Sequence, residues 1–194
     1  VLEDGLDSRA RHHVRLLAET SAQVRAVRPG LRVLGGATHS IPGRYIAEVL
    51  ALGARQHMDA LAIHPYTTPV EQLGPHIDFL RRLPGAGGID LEVTEFGHAG
   101  SDADAADHLL RSWCQFALAG VSRAVWYPLH PRGDGLAALY TREGVRTSVG
   151  DAHALIRAEL AGEAVTDAAP DPFTHACALG PAEAPRHLVI WGAP

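Results

Sequence analysis

Two rhythms alternate along the first two-thirds of the chain: apolar residues at helical spacing, and short unbroken apolar runs. The first stripe includes Val14, Leu17, Val24 and Val27; Asp7-Ser8 is placed to cap it, and Pro29-Gly30 stops it. A short run from Leu31 to Gly36 predicts a strand, ending in Ala37-Thr38-His39-Ser40. A helix through Ile46, Val49, Leu50 and Gly53 precedes a second strand, Ala60 to Ile63, which leads straight into His64-Pro65-Tyr66-Thr67. Pro75 suits the opening of a third helix carrying Ile77, Leu80 and Leu83, with Pro84-Gly85 closing it. The third strand spans Ile89 to Val93 and is followed by Thr94-Glu95-Phe96-Gly97. Leu109, Leu110, Trp113 and Phe116 mark a strongly amphipathic helix that Gly120 ends. Ala124 to Tyr127 reads as a fourth strand, and residues around His153 to Leu160 as a last helix.

Strands alternating with helices through short connections imply a parallel sheet of βαβ units. In such folds the C-terminal ends of the strands open on one face, where sites are built. Each of these four strands ends in polar or aromatic residues: Thr38-His39, His64 and Tyr66, Thr94-Glu95, and Trp126-Tyr127. Four chemically equipped ends are thus expected to converge. After Leu160 the pattern changes. Ala161 to Pro172 has the composition of a linker, and two strands are expected after it, Ala176 to Leu179 and His187 to Trp191. Two strands do not stand alone, so this tail must pack on the main body or belong to a larger β-domain.

Composition narrows the classes. The 194 residues are 46% hydrophobic with a formal net charge of −5, typical of a globular chain and unsuited to nucleic acid or an anionic membrane. No run approaches the ~20 apolar residues of a membrane-spanning helix. The N-terminus lacks an initiator methionine and has nothing like a signal peptide, as expected of a chain cut or processed at its start. Two cysteines, Cys114 and Cys177, are too few for a disulfide framework or a cysteine-based zinc site. No phosphate loop, Gly-x-Ser-x-Gly elbow or helical zinc motif occurs, and no cofactor is expected.

Candidate chemistry gathers at the strand ends. A carboxylate placed as Glu95 is can face a ligand in a barrel mouth, and retaining glycosidases need such a nucleophile with a second carboxyl ~5–5.5 Å away. A surface glutamate opening a loop is the plain alternative. Strict strand alternation puts Glu95 on the side of Ile89, Leu91 and Val93, so either those positions face the interior or the geometry breaks at Thr94. Glu92 is the rival carboxylate, or a structural charge. His64 and Tyr66 can bond sugar hydroxyls or orient a carboxylate, although a satisfied, half-buried histidine beside a turn proline fits His64 as well. Trp126 and Tyr127 offer aromatic planes for sugar stacking, or core packing. Among the 12 histidines, His39, His64, His98 and His130 lie near strand ends, where a metal-dependent hydrolase could gather them; a site without metal is the simpler expectation.

Together these segments resemble clan A glycoside hydrolases, especially the β-xylosidase/α-L-iduronidase family. Val33-Leu34-Gly35-Gly36 matches at strand five, Asp59-Ala60-Leu61-Ala62-Ile63-His64-Pro65-Tyr66 at strand six, Leu91 to Gly97 at strand seven, and Ala124 to Leu129 at strand eight. The resemblance implies a (β/α)8 TIM barrel, here strands five to eight over residues 1–160, with residues 161–194 as linker and start of a β-sandwich. It implies a retaining O-glycosyl hydrolase for β-linked oligo- or polysaccharide. Glu95 would be the nucleophile, Tyr66 its hydrogen-bond partner, His64 and Tyr127 sugar contacts, and Trp126 the floor of the sugar subsite. The family's acid/base is a glutamate in an Asn-Glu pair ending strand four; this chain contains no asparagine, and Glu3 lacks the strand that should precede it. A non-catalytic carbohydrate-binding or scaffold fragment is the alternative. Four strands without the rest of a barrel should form an open sheet with exposed apolar edges.

Overall fold

The computed structural model describes residues 5–192, and side chains from residue 8 onward, so Glu3 lies outside the described residues. Helices and strands alternate: α1 (Gly5–Val27), β1 (Leu34–Thr38), α2 (Gly43–Ala51), β2 (Ala60–Ile63), α3 (Leu73–Arg82), β3 (Asp90–Phe96), α4 (Asp102–Leu118), β4 (Arg123–Trp126) and α5 (Ser148–Leu155). α5 continues as one wide turn to Leu160. The differences from the sequence expectations are local. α1 already includes Asp7-Ser8, which therefore do not cap it. β1 starts at Leu34 rather than Leu31, and α3 starts at Leu73, with Pro75 in its first turn, where a missing N–H costs nothing. α5 begins at Ser148, where the Thr147 hydroxyl accepts from the Gly150 N–H at 3.2 Å.

The four strands form one parallel sheet in chain order, with β1 at one edge and β4 at the other. Leu61, Ile63, Leu91 and Val93 are almost wholly buried, in one core with Ile46, Met58, Leu73, Ile77 and Leu80 from the helical layer and its connections. Burying side chains of this size stabilises by ~1.5–3 kcal/mol each. β4 is poorly covered: Arg123, Ala124 and Val125 are exposed, as an edge of an open sheet should be. Glu92 is 2% exposed and holds Arg32 at 2.9 Å, with Arg123 at 3.8 Å, which makes it a structural charge between the starts of strands. Asp59 ties the start of β2 to its surroundings, accepting from the Val33 N–H at 2.8 Å and from Arg25 at 3.1 Å.

The tail departs most from expectation. The linker segment contains a third strand, β5 (Val165–Asp167), which pairs antiparallel with β6 (Thr174–Leu179), and β6 pairs antiparallel with β7 (His187–Gly192). Three residues in an Ala-, Asp- and Pro-rich stretch carry no readable alternation; pairing to Leu179, Ala178 and Cys177 makes them a strand. A disulfide between Cys114 on α4 and Cys177 on β6 fastens this sheet to the body, with Cα atoms 6.1 Å apart. Cys177 and Leu179 are fully buried in the main core. Glu71, just before α3, accepts from Trp191 on β7 at 3.0 Å and from Arg111 on α4 at 3.1 Å. The sheet is thus packed on α4. Among the described residues, no helix is long and apolar enough to cross a membrane.

Candidate active site

The end of β3 resolves the alternation problem at Glu95. Val93 pairs with Ala124 and Phe96 with Trp126, so three steps along β3 match two along β4. Such a bulge adds one residue to a strand and re-aims the side chains beside it. Val93 and Phe96 therefore both reach the core, Phe96 meeting Phe116 edge-on at 5.1 Å. Thr94 and Glu95, between them, are released from the core pattern, and Glu95 lines an open cleft of about 660 Å³. Gly97 follows for a steric reason: a Cβ there would sit 2.3 Å from the Tyr127 carbonyl oxygen. That close approach, with Tyr127 N–H donating to Phe96 O at 2.7 Å, locks the ends of β3 and β4 together.

Tyr66, three residues past β2, donates its phenol O–H to Glu95 Oε1 at 2.5 Å. Burial and the Glu95 carboxylate push the phenol well above its ordinary range, so it stays a proton donor throughout the pH range of proteins. The His39 ring stacks on Tyr66 with centroids 5.3 Å apart. His39 is delivered by a second irregularity, at the end of β1, where Gly36 and Thr38 pair with consecutive residues of β2. Ala37 between them has φ of 53°, a strained conformation for a non-glycine residue, worth ~1–2 kcal/mol. Both distortions lie at strand ends facing the cleft.

The other expected residues fall into distinct places. Tyr127 lines the cleft, its phenol raised by the adjacent Asp134 carboxylate. His64 stands beside it rather than in its lining, with Nε2 2.9 Å from Thr94 Oγ1. Trp126 is 6% exposed and outside the lining; its indole N–H donates to Ala137 O at 2.9 Å and its ring meets Phe96 edge-on. His130 is bonded to the Thr141 carbonyl, apart from the others. Among the described residues no group of three or more His, Cys, Asp or Glu side chains could hold a metal ion.

Sequence reasoning missed His108, on α4, and weighed His98 only as a metal ligand. Both line the cleft, their rings stacked 4.5 Å apart at 20°. Nothing in the helical stripe of α4 marks His108 as facing a cleft. Burial pulls its pKa down to about 4, with His98 and Arg111 acting in the same direction. Below the ordinary value of 6.5 the unfolded chain therefore binds a proton that the folded chain refuses. The stabilisation is complete above pH 6.5 and is lost as the pH falls to about 4. His13 and His153, also lowered by burial, tilt stability the same way. His108→Gln should flatten the decline of unfolding free energy over this window by on the order of 2 kcal/mol, measured by denaturant titration at several pH values; unchanged pH dependence would contradict this placement of His108.

This fold recurs in solved glycoside hydrolases. The chain superposes on a family 39 glycoside hydrolase from Bacteroides cellulosilyticus with a TM-score of 0.75 at 19% identity, covering 94% of this chain and 44% of that one. A family 30 endoxylanase from Clostridium papyrosolvens gives 0.62 at 14% identity, covering 89% and 43%. A family 39 β-xylosidase from Caulobacter crescentus gives 0.61 at 18% identity, covering 86% and 42%. The fold is therefore that of part of the TIM barrels of these enzymes, and the chain spans less than half the length of each of the three. No protein-family model matches the sequence, and no curated protein matches it.

Proposed function

We propose that these residues form strands five to eight of a (β/α)8 retaining glycoside hydrolase acting on β-linked oligo- or polysaccharide, with Glu95 as the nucleophile. The observation that carries the reading is the Tyr66–Glu95 hydrogen bond at the C-terminal ends of parallel strands, inside a cleft that a bulge in β3 opens to Glu95. One carboxylate oxygen is held by the tyrosine and the other is left to attack. In the first step that oxygen bonds to the anomeric carbon as the glycosidic bond breaks and a carboxylic acid protonates the leaving oxygen. Water then attacks the glycosyl-enzyme, the conjugate base takes its proton, and Glu95 leaves as carboxylate. A different strand of a complete barrel supplies the acid/base in this reading. Tyr127 and His39 contact the sugar, His64 steadies Thr94 beside the nucleophile, and Trp126 supports the floor from below. The tail sheet is the first part of an accessory β-domain.

A second reading, a non-catalytic carbohydrate-binding fragment, draws on Asp134. The other carboxylate lining the cleft, it accepts from the Leu136 N–H at 3.2 Å in an exposed loop, as a loop-forming residue does. Proton NMR of the first product released from an aryl β-glycoside separates mechanisms: retention agrees with the proposal, whereas inversion rules out a glycosyl-enzyme on Glu95. Tyr66→Phe removes a hydrogen bond to a charged group, worth ~1.5–3 kcal/mol, and should slow glycosyl-enzyme formation roughly 10- to 100-fold. An unchanged rate would show that Tyr66 does not serve the nucleophile.

A further inference from the structure

We propose that the His98–His108 pair is a hydroxyl-reading subsite for an uncharged saccharide, a proposal that rests on reading the cleft as a glycoside site. The two rings lie face to face, 4.5 Å apart, in the cleft that Glu95 also lines. Their placement is rigid. His98 O accepts from the Ala137 N–H at 2.9 Å, and Ala99 forms an antiparallel bridge with Leu136. His108 rides on α4, which starts in a capping box of Ser101 and Asp104 and is fastened near its other end through Cys114. Yet neither ring has a hydrogen-bond partner among the described residues, whereas His64, His76 and His130 each have one ring nitrogen engaged. Fixed rings with open nitrogens beside a nucleophile are arranged for a ligand.

The chemistry of that ligand follows from charge. Stacked imidazoles resist double protonation, and burial favours the neutral form of His108. A neutral imidazole offers one N–H donor and one acceptor nitrogen, which complements a sugar hydroxyl, itself donor and acceptor. The cleft also carries the Glu95 and Asp134 carboxylates, and no arginine is among its lining residues, although Arg132 hydrogen-bonds the Tyr127 phenol. A saccharide bearing a carboxylate or sulfate would meet the like charge of two lining carboxylates, with Arg132 already bonded to Tyr127, at a cost that grows as the cleft dries. The subsite therefore selects neutral sugars.

The test is NMR titration of the 194-residue chain with methyl β-D-xyloside, methyl β-D-glucoside and methyl β-D-glucuronide, following the histidine and tyrosine ring signals. The neutral glycosides should shift His98, His108 and Tyr66 together, and the glucuronide should bind at least ~10-fold more weakly. His98→Ala and, as a second variant, His108→Phe should each weaken the neutral glycosides about fivefold, the worth of one hydrogen bond, and reduce the preference over the glucuronide. Neutral glycosides that shift Tyr66 but neither histidine, or a glucuronide that binds equally well, would overturn the subsite and leave the glycosidase reading standing. Glycosides that shift no cleft signal would overturn both.

Discussion

Glu95→Ala is expected to lower turnover of an activated aryl β-glycoside by at least ~10³-fold without loss of the fold, because it deletes the attacking atom itself. The side chain is half-buried, its one hydrogen bond is to Tyr66, and it belongs to no ion pair among the described residues, so little stability rests on it. Azide added to this variant can enter the vacated space and attack the same carbon, giving a glycosyl azide of inverted configuration. That product distinguishes a lost nucleophile from a lost acid/base, whose azide product keeps the configuration. Glu92→Ala is the contrasting substitution. Glu92 is 2% exposed and holds Arg32 at 2.9 Å, so its loss should lower stability by about 2 kcal/mol and leave chemistry untouched. A large activity loss in Glu92→Ala with Glu95→Ala active would reverse the assignment.

Removing the Cys114–Cys177 disulfide should have the largest effect on stability. The bond closes a loop between residues 63 apart in sequence, and chain-entropy reasoning assigns such a closure ~4 kcal/mol. Both cysteines are fully buried, so Cys177→Ser also leaves a hydroxyl in an apolar core. For a domain of this size each kcal/mol moves the melting temperature by roughly 2–4 °C, which predicts a fall of order 10 °C on reduction or in Cys114→Ala/Cys177→Ala. The physical consequence reaches the cleft. Cys114 and His108 share α4, and Arg111 between them bonds Glu71, which also receives Trp191 from β7. A melting temperature unchanged by reductant would show that burial of Leu179 and Cys177, not the covalent link, holds the tail.

Most of the helical layer and all four parallel strands were legible because each combines a distinct period with a Pro or Gly stop: Pro29-Gly30, Pro84-Gly85 and Gly120 close helices as expected. β5 was not legible, because Val165–Asp167 becomes a strand only through its partner β6. Glu95 and Tyr66 were named from strand-end position and family resemblance, but the sequence left open how Glu95 could face the cleft. The answer is a bulge, a property of register between two strands rather than of either alone. Trp126 shows the reverse. The family resemblance implied an open aromatic floor there, with core packing the plain alternative, and the same bulge, which aligns Phe96 with Trp126, coincides with its burial against Phe96. His108 and the disulfide depend on which face of α4 meets which neighbour, information that one-dimensional spacing does not carry.

The central claim is that Glu95 is the nucleophile, and covalent trapping tests it most directly. A 2-deoxy-2-fluoro-β-glycoside with a dinitrophenol leaving group needs no acid to depart, so it reports on nucleophilic attack alone. Incubation of the protein with such reagents in the xylo and gluco series, followed by intact mass and peptide mapping, should show one fluoroglycosyl group on the peptide containing Glu95, absent in Glu95→Gln. A label on Glu92 or Asp134 instead, or no label on a protein that NMR shows binding the same glycoside, would contradict the account.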